Sequence, residues 1–221
     1  MKVLAIETSA EMCSTAFWSD GEITVRETST ANRHTEFVLP LLDELRAQAR
    51  FSLADLDGIA FGAGPGAFTG VRVAASIAQG IALACGAPVL AISSLAALAL
   101  GGWRQTGITT QLATLDARRG EVYWGLYRVE ETGETVCSLS ADTVQAPHEI
   151  PAPTMPWCAV GRGWEVYAET LSLRLRPTCD ASNQVRYPKA SDIAALAVAE
   201  LRAGRGRAAH LALPVYLRAP I

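Results

Sequence analysis

Between Gly62 and Gly80 the chain reads GAGPGAFTGVRVAASIAQG, a glycine-rich loop running into an almost uncharged, alanine-rich helix. Such a junction can hold phosphate, because glycines expose backbone N–H donors and a helix N-terminus carries partial positive charge. Gly64, Gly66 and Thr69 are the residues that would line a nucleotide site here. Two familiar versions of such a site do not fit. A P-loop follows its last glycine with lysine and a hydroxyl residue, whereas Gly70 is followed by Val71 and Arg72. A dinucleotide fingerprint spaces its glycines GxGxxG ahead of a later acidic residue, and Gly62, Gly64 and Gly66 are spaced differently. The same glycines also suit a tight turn, Gly64-Pro65-Gly66, that packs a helix against a strand. Pattern alone leaves both readings open.

Other residues able to do chemistry are few. Glu7 ends the first apolar run, either as the remnant of a phosphate or metal site or as a structural carboxylate bonded to neighbouring turns. His34, beside Arg33, suits contact with a partner or nucleotide, or a local hydrogen bond near a helix start. Asp116, Arg118, Arg119 and Glu121 form a polar site or a solvated turn. Arg202, Arg205 and Arg207 make a small basic patch that suits nucleic-acid phosphate or simply a helix terminus. The three histidines are far apart, and the five cysteines, Cys13, Cys85, Cys137, Cys158 and Cys179, include no CxxC pair. The residues thus lack metal-ligand spacing, and the odd cysteine count points to a reducing compartment rather than a disulfide framework.

The elements that must position these residues follow from hydrophobic period. The chain has 221 residues, half of them hydrophobic, and a formal net charge of -3, so it has ample core and no global basic field for nucleic acid. Val3–Thr8, Cys13–Ser19 and Glu22–Thr28 are expected strands, the last two joined at Asp20-Gly21. Phe37, Val38, Leu41, Leu42 and Leu45 recur at helical spacing, with Pro40 bending or starting the helix irregularly. Then come a strand at Gly58–Phe61, a helix at Val71–Cys85, a strand at Pro88–Ile92 and a helix at Ser94–Leu100. The second half opens similarly, with strands at Gln111–Asp116, Glu121–Val129 and Glu134–Leu139, a strand near Cys158–Val160, a helix near Glu165–Leu173 and a last helix at Asp192–Ala203 capped by Ser191. Two three-strand meanders, each followed by strands and helices, suggest a duplicated architecture. Val73 to Trp103 carry no charge, but Gln79, Gly80, Gly86 and Pro88 divide the stretch, which reads as buried core rather than a membrane span. Glu7 ends the N-terminal apolar run too early for a signal peptide.

The segment PGAFTGVRVAASIAQGIA resembles the PGSFTGxR signature of the TsaB (YeaZ) family. LAIETSAEMCSTAF, RHTEFVLPLLDEL, DARRGEVYWGLY and PVYLR resemble that family's opening, first long helix, central hairpin and C-terminus, so the likeness spans essentially the whole chain. The resemblance implies an α/β protein of the actin-like ATPase fold, with two similar ribonuclease-H-like lobes of mixed sheet flanked by helices. The expected domains are 1–104 and 105–221, with the last helix able to pack back on the first lobe. It also implies a cytoplasmic, non-catalytic activator of TsaD, the catalytic paralogue, in making N6-threonylcarbamoyladenosine at tRNA position 37. TsaE, a small ATPase, joins them, tRNA is reached only through the complex, and no cofactor belongs to the isolated chain, although ATP or ADP can belong to the complex. TsaD carries an HMEAH metal motif, and its two histidines align with Ser94 and Leu98 here, neither able to replace a neutral imidazole. That opposes the two alternatives, a metal-dependent glycopeptidase-like protease and, with fewer acidic residues than such enzymes keep, a small actin-fold kinase.

Residues Val73, Ile77 and Ile81 fall on one stripe of the helix after the loop, and Ala74, Ala75, Ala78 and Ala82 on the next. A helix so apolar around its circumference needs cover on more than one side. Either the preceding helix supplies it or a second molecule does. In the second case the bulky stripe packs inward, and His34, Phe37, Val38, Leu41, Leu45, Ala74, Ala75, Ala78 and Ala82 form a face for a homodimer and, by the resemblance, for TsaD.

Overall fold

A buried apolar run and a hairpin turn make the first three segments an antiparallel meander: β1 (Lys2–Glu7), β2 (Met12–Ser19) and β3 (Glu22–Ser29). The computed structural model describes residues 1–30 and 33–218. Asp20 and Gly21, both at positive φ, close the β2–β3 hairpin, and Lys2 pairs with Ser19 in the β1–β2 register. Helix α1 (His34–Ala49) follows, then β4 (Gly58–Gly64), α2 (Phe68–Cys85) and β5 (Val89–Ser93). Both β4 and β5 run parallel to β1, giving the order β3-β2-β1-β4-β5.

Alternation along each strand decides what covers the sheet. Leu4, Ile6, Cys13, Phe17, Ile59 and Phe61 point to the face packed by α1 and α2. The opposite face, which includes Ser14 and Gly58, receives the last helix, α6 (Ala190–Arg202). α6 begins at Ala190, two residues before the expected start, and Ser191 does not cap it; the Ala190 N–H instead donates to Ser14 Oγ of β2 at 2.9 Å.

The second sheet repeats the plan. Helix α3 (Ser94–Thr106) leads to β6 (Thr110–Asp116), β7 (Val122–Val129) and β8 (Val136–Ser138), an antiparallel meander. A short β9 (Thr143–Gln145) also pairs with β7. Then β10 (Cys158–Val160) adds parallel to β6 and β11 (Cys179–Asp180) parallel to β10, for an order β11-β10-β6-β7-β8. Between β10 and β11 the expected single helix is two, α4 (Arg162–Val166) and α5 (Ala168–Arg174), broken at Tyr167. Each sheet therefore contains a three-strand meander with two further parallel strands on the side of its first strand, and the second sheet adds β9 on β7.

The chain forms two units, Met1–Ser94 with Lys189–Val215, and Leu95–Pro188 with the chain end from Tyr216. The division falls at Ser94, not at the expected 104/105. Leu95, Leu98 and Ala99 of α3 pack with Ala113, Leu115 and Val160, so burial ties α3 to the second unit, while α6 returns to the first. Residues 219–221 of the expected second domain lie outside the described residues.

Candidate functional site

The glycine loop joins β4 to α2 in the first unit, and it packs on the turn that ends β1. Three successive residues of that turn meet three glycines. A Cβ on Gly62 would lie 1.8 Å from Glu7 Oε2, one on Gly70 would lie 1.9 Å from the Thr8 carbonyl oxygen, and one on Gly66 would lie 2.4 Å from the Ser9 carbonyl oxygen. A side chain at Gly66 or Gly70 would strike backbone, and one at Gly62 would strike the buried Glu7 carboxylate, so glycine answers close approach at all three. Thr8 Oγ1 donates to the Gly70 carbonyl at 2.7 Å, and the Ala67 N–H donates to the Ser9 carbonyl at 2.7 Å. Gly64, at φ +103°, precedes a cis Gly64–Pro65 bond, and the Val215 N–H donates to the Ala63 carbonyl at 2.8 Å. In this loop the glycines let the protein's own turn, rather than an anion, approach the backbone. Thr69 stands exposed on the first turn of α2, where Phe68 is also exposed and the Arg72 guanidinium lies 3.4 Å from its ring centroid.

Glu7 is fully buried at the centre of this junction. Its Oε1 accepts from the Ser9 N–H at 2.5 Å and its Oε2 from Ser94 Oγ at 3.1 Å. Burial pushes its carboxyl pKa above the usual range, although hydrogen bonds from Ser9, Ser94 and Thr8 oppose the shift. Ser94, which the family resemblance sets against one of the two metal histidines of TsaD, thus donates to Glu7. Leu98, at the other, is fully buried apolar core of the second unit. Among the described residues no three His, Cys, Asp or Glu side chains group closely enough to hold a metal ion.

His34 is buried at the start of α1 with Nδ1 3.1 Å from Thr30 Oγ1, and burial pushes its pKa below the ordinary histidine value, partly countered by the Ala10 backbone. Val38, Leu41, Leu45, Ala74, Ala75, Ala78 and Ala82 are likewise buried, in the core shared by α1, α2 and the sheet. The expected face cannot be built from these residues, because the chain itself covers them; of the expected set, only Phe37 is half-exposed. The phase of α2 is the reverse of the one expected. The small alanines pack inward, which lets the helix lie close to the sheet, while Val73, Ile77 and Ile81 are only partly buried and Gly80, Leu83 and Ala84 are exposed. Leu83, 74% exposed, marks an apolar outer face that sequence reasoning misses. The signal is present, since Thr69, Arg72 and Ser76, three and four residues apart, are exposed on the side of α2 away from the alanine stripe, a polar mark that the expectation of an inward bulky stripe passes over.

In the second unit the β6–β7 hairpin turns through Arg118 (φ 61°) and Arg119 (φ 56°). Asp116 Oδ1 accepts from the Arg118 N–H at 2.8 Å and from Tyr167 Oη at 3.0 Å, and Glu121 pairs with Arg218. These groups form a tied hairpin end. Of the C-terminal arginines, Arg205 pairs with Glu200, and the Arg207 backbone pairs with Val89.

A family model described as TsaD, tRNA N6-adenosine threonylcarbamoyltransferase, matches residues 25–220. The tRNA threonylcarbamoyladenosine biosynthesis protein TsaB of Escherichia coli is 37% identical over 99% of this chain and 95% of its own length. The chain belongs to the TsaB family. The Haemophilus influenzae TsaB protein is 32% identical over 99% of this chain and 94% of its own. The solved structure of YeaZ from Pseudomonas aeruginosa superposes with a TM-score of 0.91, at 37% identity, covering 98% of this chain and 99% of that one. The duplicated sheets described above are thus those of an actin-like TsaB fold. Within that fold the glycine signature is a packing device: it seats α2 against the first turn.

Proposed function

We propose that this chain is the accessory subunit of a tRNA threonylcarbamoyladenosine synthesis complex, acting in the cytoplasm by docking onto a TsaD-like catalytic paralogue. The observation that carries this reading is the fate of the two metal-histidine positions. Ser94 spends its hydroxyl on a buried carboxylate and Leu98 is core, so neither presents a donor to a ligand. The glycine loop supports it too, because its close approaches are taken up by Glu7, Thr8 and Ser9. The contribution to the reaction is then architectural. The chain holds the catalytic subunit in a competent arrangement, TsaE joins the pair, tRNA is bound by the assembly, and ATP or ADP belongs to the complex rather than to this chain alone.

The docking surface in this reading is the outer face of α2, lined by Val73, Ile77, Gly80, Leu83 and Ala84. By length and composition α2 would also suit a membrane span, but its alanine stripe is committed to the core, and an apolar outer face on a core helix fits a protein partner. In the absence of TsaD the same face pairs with its copy in a homodimer. The test is reconstitution with TsaD, TsaE, a threonylcarbamoyl-adenylate synthase, ATP, bicarbonate, threonine and tRNA. Modified adenosine is expected only when both this chain and TsaD are present. Turnover by this chain without TsaD would overturn the accessory reading.

A further inference from the structure

Two of the five cysteines, far apart in sequence, become immediate neighbours in the fold. Cys158 of β10 and Cys179 of β11 are directly paired across parallel strands. In-register neighbours point to the same face, and both side chains enter the same apolar cluster with Leu95, Leu98, Val160 and Ala181. The Cys179 thiol lies close enough to that of Cys158 to push its pKa upward. Adjacent strands lie about 4.7–4.9 Å apart, inside the Cα separation of about 4.4–6.8 Å that a disulfide bridges. The bridge also needs the two Cβ atoms at about 3.8 Å, closer than parallel neighbours normally stand. The strand that must move is equipped to do so. β11 is two residues long, lies at the sheet edge and is tied to β10 by backbone bonds from Thr178, Cys179 and Ala181 to Trp157 and Ala159.

We propose that Cys158 and Cys179 form a reversible disulfide by exchange with a small oxidised thiol such as glutathione disulfide. Cys179 is half-exposed and Cys158 fully buried, so the order of events follows from access. The Cys179 thiolate attacks one sulfur of glutathione disulfide, forming a mixed disulfide and releasing one glutathione thiolate. Cys158 then loses its proton to that thiolate and attacks the Cys179 sulfur, releasing the second glutathione as thiolate, which takes a proton from water. In sum, two protein thiols and one glutathione disulfide give one protein disulfide and two glutathione thiols. Burial and the neighbouring thiol push the Cys158 thiol up to about 12, which makes it a poor first nucleophile and suits it to the second, intramolecular step. The product staples the edge strand to its sheet, so that the second unit becomes more rigid when the thiol pool is oxidised and returns when it is reduced.

The test uses the full chain in glutathione redox buffers of increasing oxidised fraction, quenched by acid, then unfolded, alkylated and mapped by mass spectrometry. The expected product lacks two hydrogens and carries a Cys158–Cys179 cross-linked peptide, while exposed Cys137 acquires only glutathione. The melting temperature should rise by about 5 °C on oxidation and fall back with dithiothreitol. Cys158→Ser should stop the reaction at a Cys179–glutathione adduct, and Cys179→Ser should leave Cys158 unmodified. If the wild-type chain keeps both thiols open to alkylation after unfolding, at redox ratios that fully modify Cys137, the proposal is overturned; this measurement needs no variant to fold.

Discussion

Two arginine substitutions two residues apart on α2 separate core from docking surface. Ala78 has no exposure and sits among Leu4, Ile6, Val38 and Phe61 in the first-unit core. Ala78→Arg would bury an unpaired guanidinium there, at a cost of about 3–5 kcal/mol, a large share of a total stability of about 5–15 kcal/mol. Gly80 lies on the opposite side of the same helix, and a Cβ added there meets nothing within 4 Å. Gly80→Arg should therefore fold and gain about 0.5–1 kcal/mol from helix propensity. If the outer face of α2 is the docking surface, the same arginine is trapped unpaired in the interface. A cost of about 3 kcal/mol there weakens pairing roughly a hundredfold. The assays are thermal melting by circular dichroism, light scattering for self-association and pull-down by TsaD. Ala78→Arg should be unfolded or strongly destabilised, whereas Gly80→Arg should melt at or above the parent temperature and lose both partners. A Gly80→Arg protein that folds and still pairs with its copy and with TsaD would refute the assignment of that face.

The buried junction and α1 yield three further outcomes. Glu7 has a raised carboxyl pKa in the fold, so its contribution to stability is fully present below the ordinary 4.5 and is lost as pH rises through the folded value; Glu7→Gln, which can keep both hydrogen bonds, should raise the urea midpoint at pH 7 and flatten that loss, and an unchanged pH slope would count against it. His34 is shifted the other way, so its contribution is present above the ordinary 6.5 and lost as pH falls through the folded value; His34→Gln should flatten the acid limb between pH 7 and 5 in the same titration, with the alkaline side unmoved. Gly70→Ala would place a methyl group 1.9 Å from the Thr8 carbonyl oxygen, forcing apart the loop and the first turn at a cost of about 3 kcal/mol, while Gly80→Ala serves as the control; equal melting temperatures for the two would show that the junction yields freely.

Much of the architecture is legible in the residues alone. The apolar run at the start and the alternating Val122, Trp124 and Leu126 mark strands of the two meanders, Asp20-Gly21 marks the first hairpin, and the helical spacing of Val38, Leu41 and Leu45 marks α1, because each signal is local and survives without knowledge of neighbours. The glycine signature is likewise a sequence fact, and with the full-length resemblance, which also sets Ser94 and Leu98 against the metal histidines of TsaD, it points to the family. Non-local packing decided the rest. That Gly62, Gly70 and Gly66 yield space to the Glu7 carboxylate and the Thr8 and Ser9 carbonyls depends on two loops separated by more than fifty residues of chain meeting at close contact. The inward turn of the alanine stripe on α2 is only faintly marked by residue type, through exposed Thr69, Arg72 and Ser76. A helix apolar around most of its circumference carries only a weak polar mark, and the fit of small side chains against the sheet selects the buried stripe. The unit boundary follows α3, whose leucines find their partners on β6 and β10, and the cysteine pair exists because β11 adds beside β10 in register. In each of these cases the deciding energy belongs to a pairing between distant segments, which residue types and their local spacing do not encode.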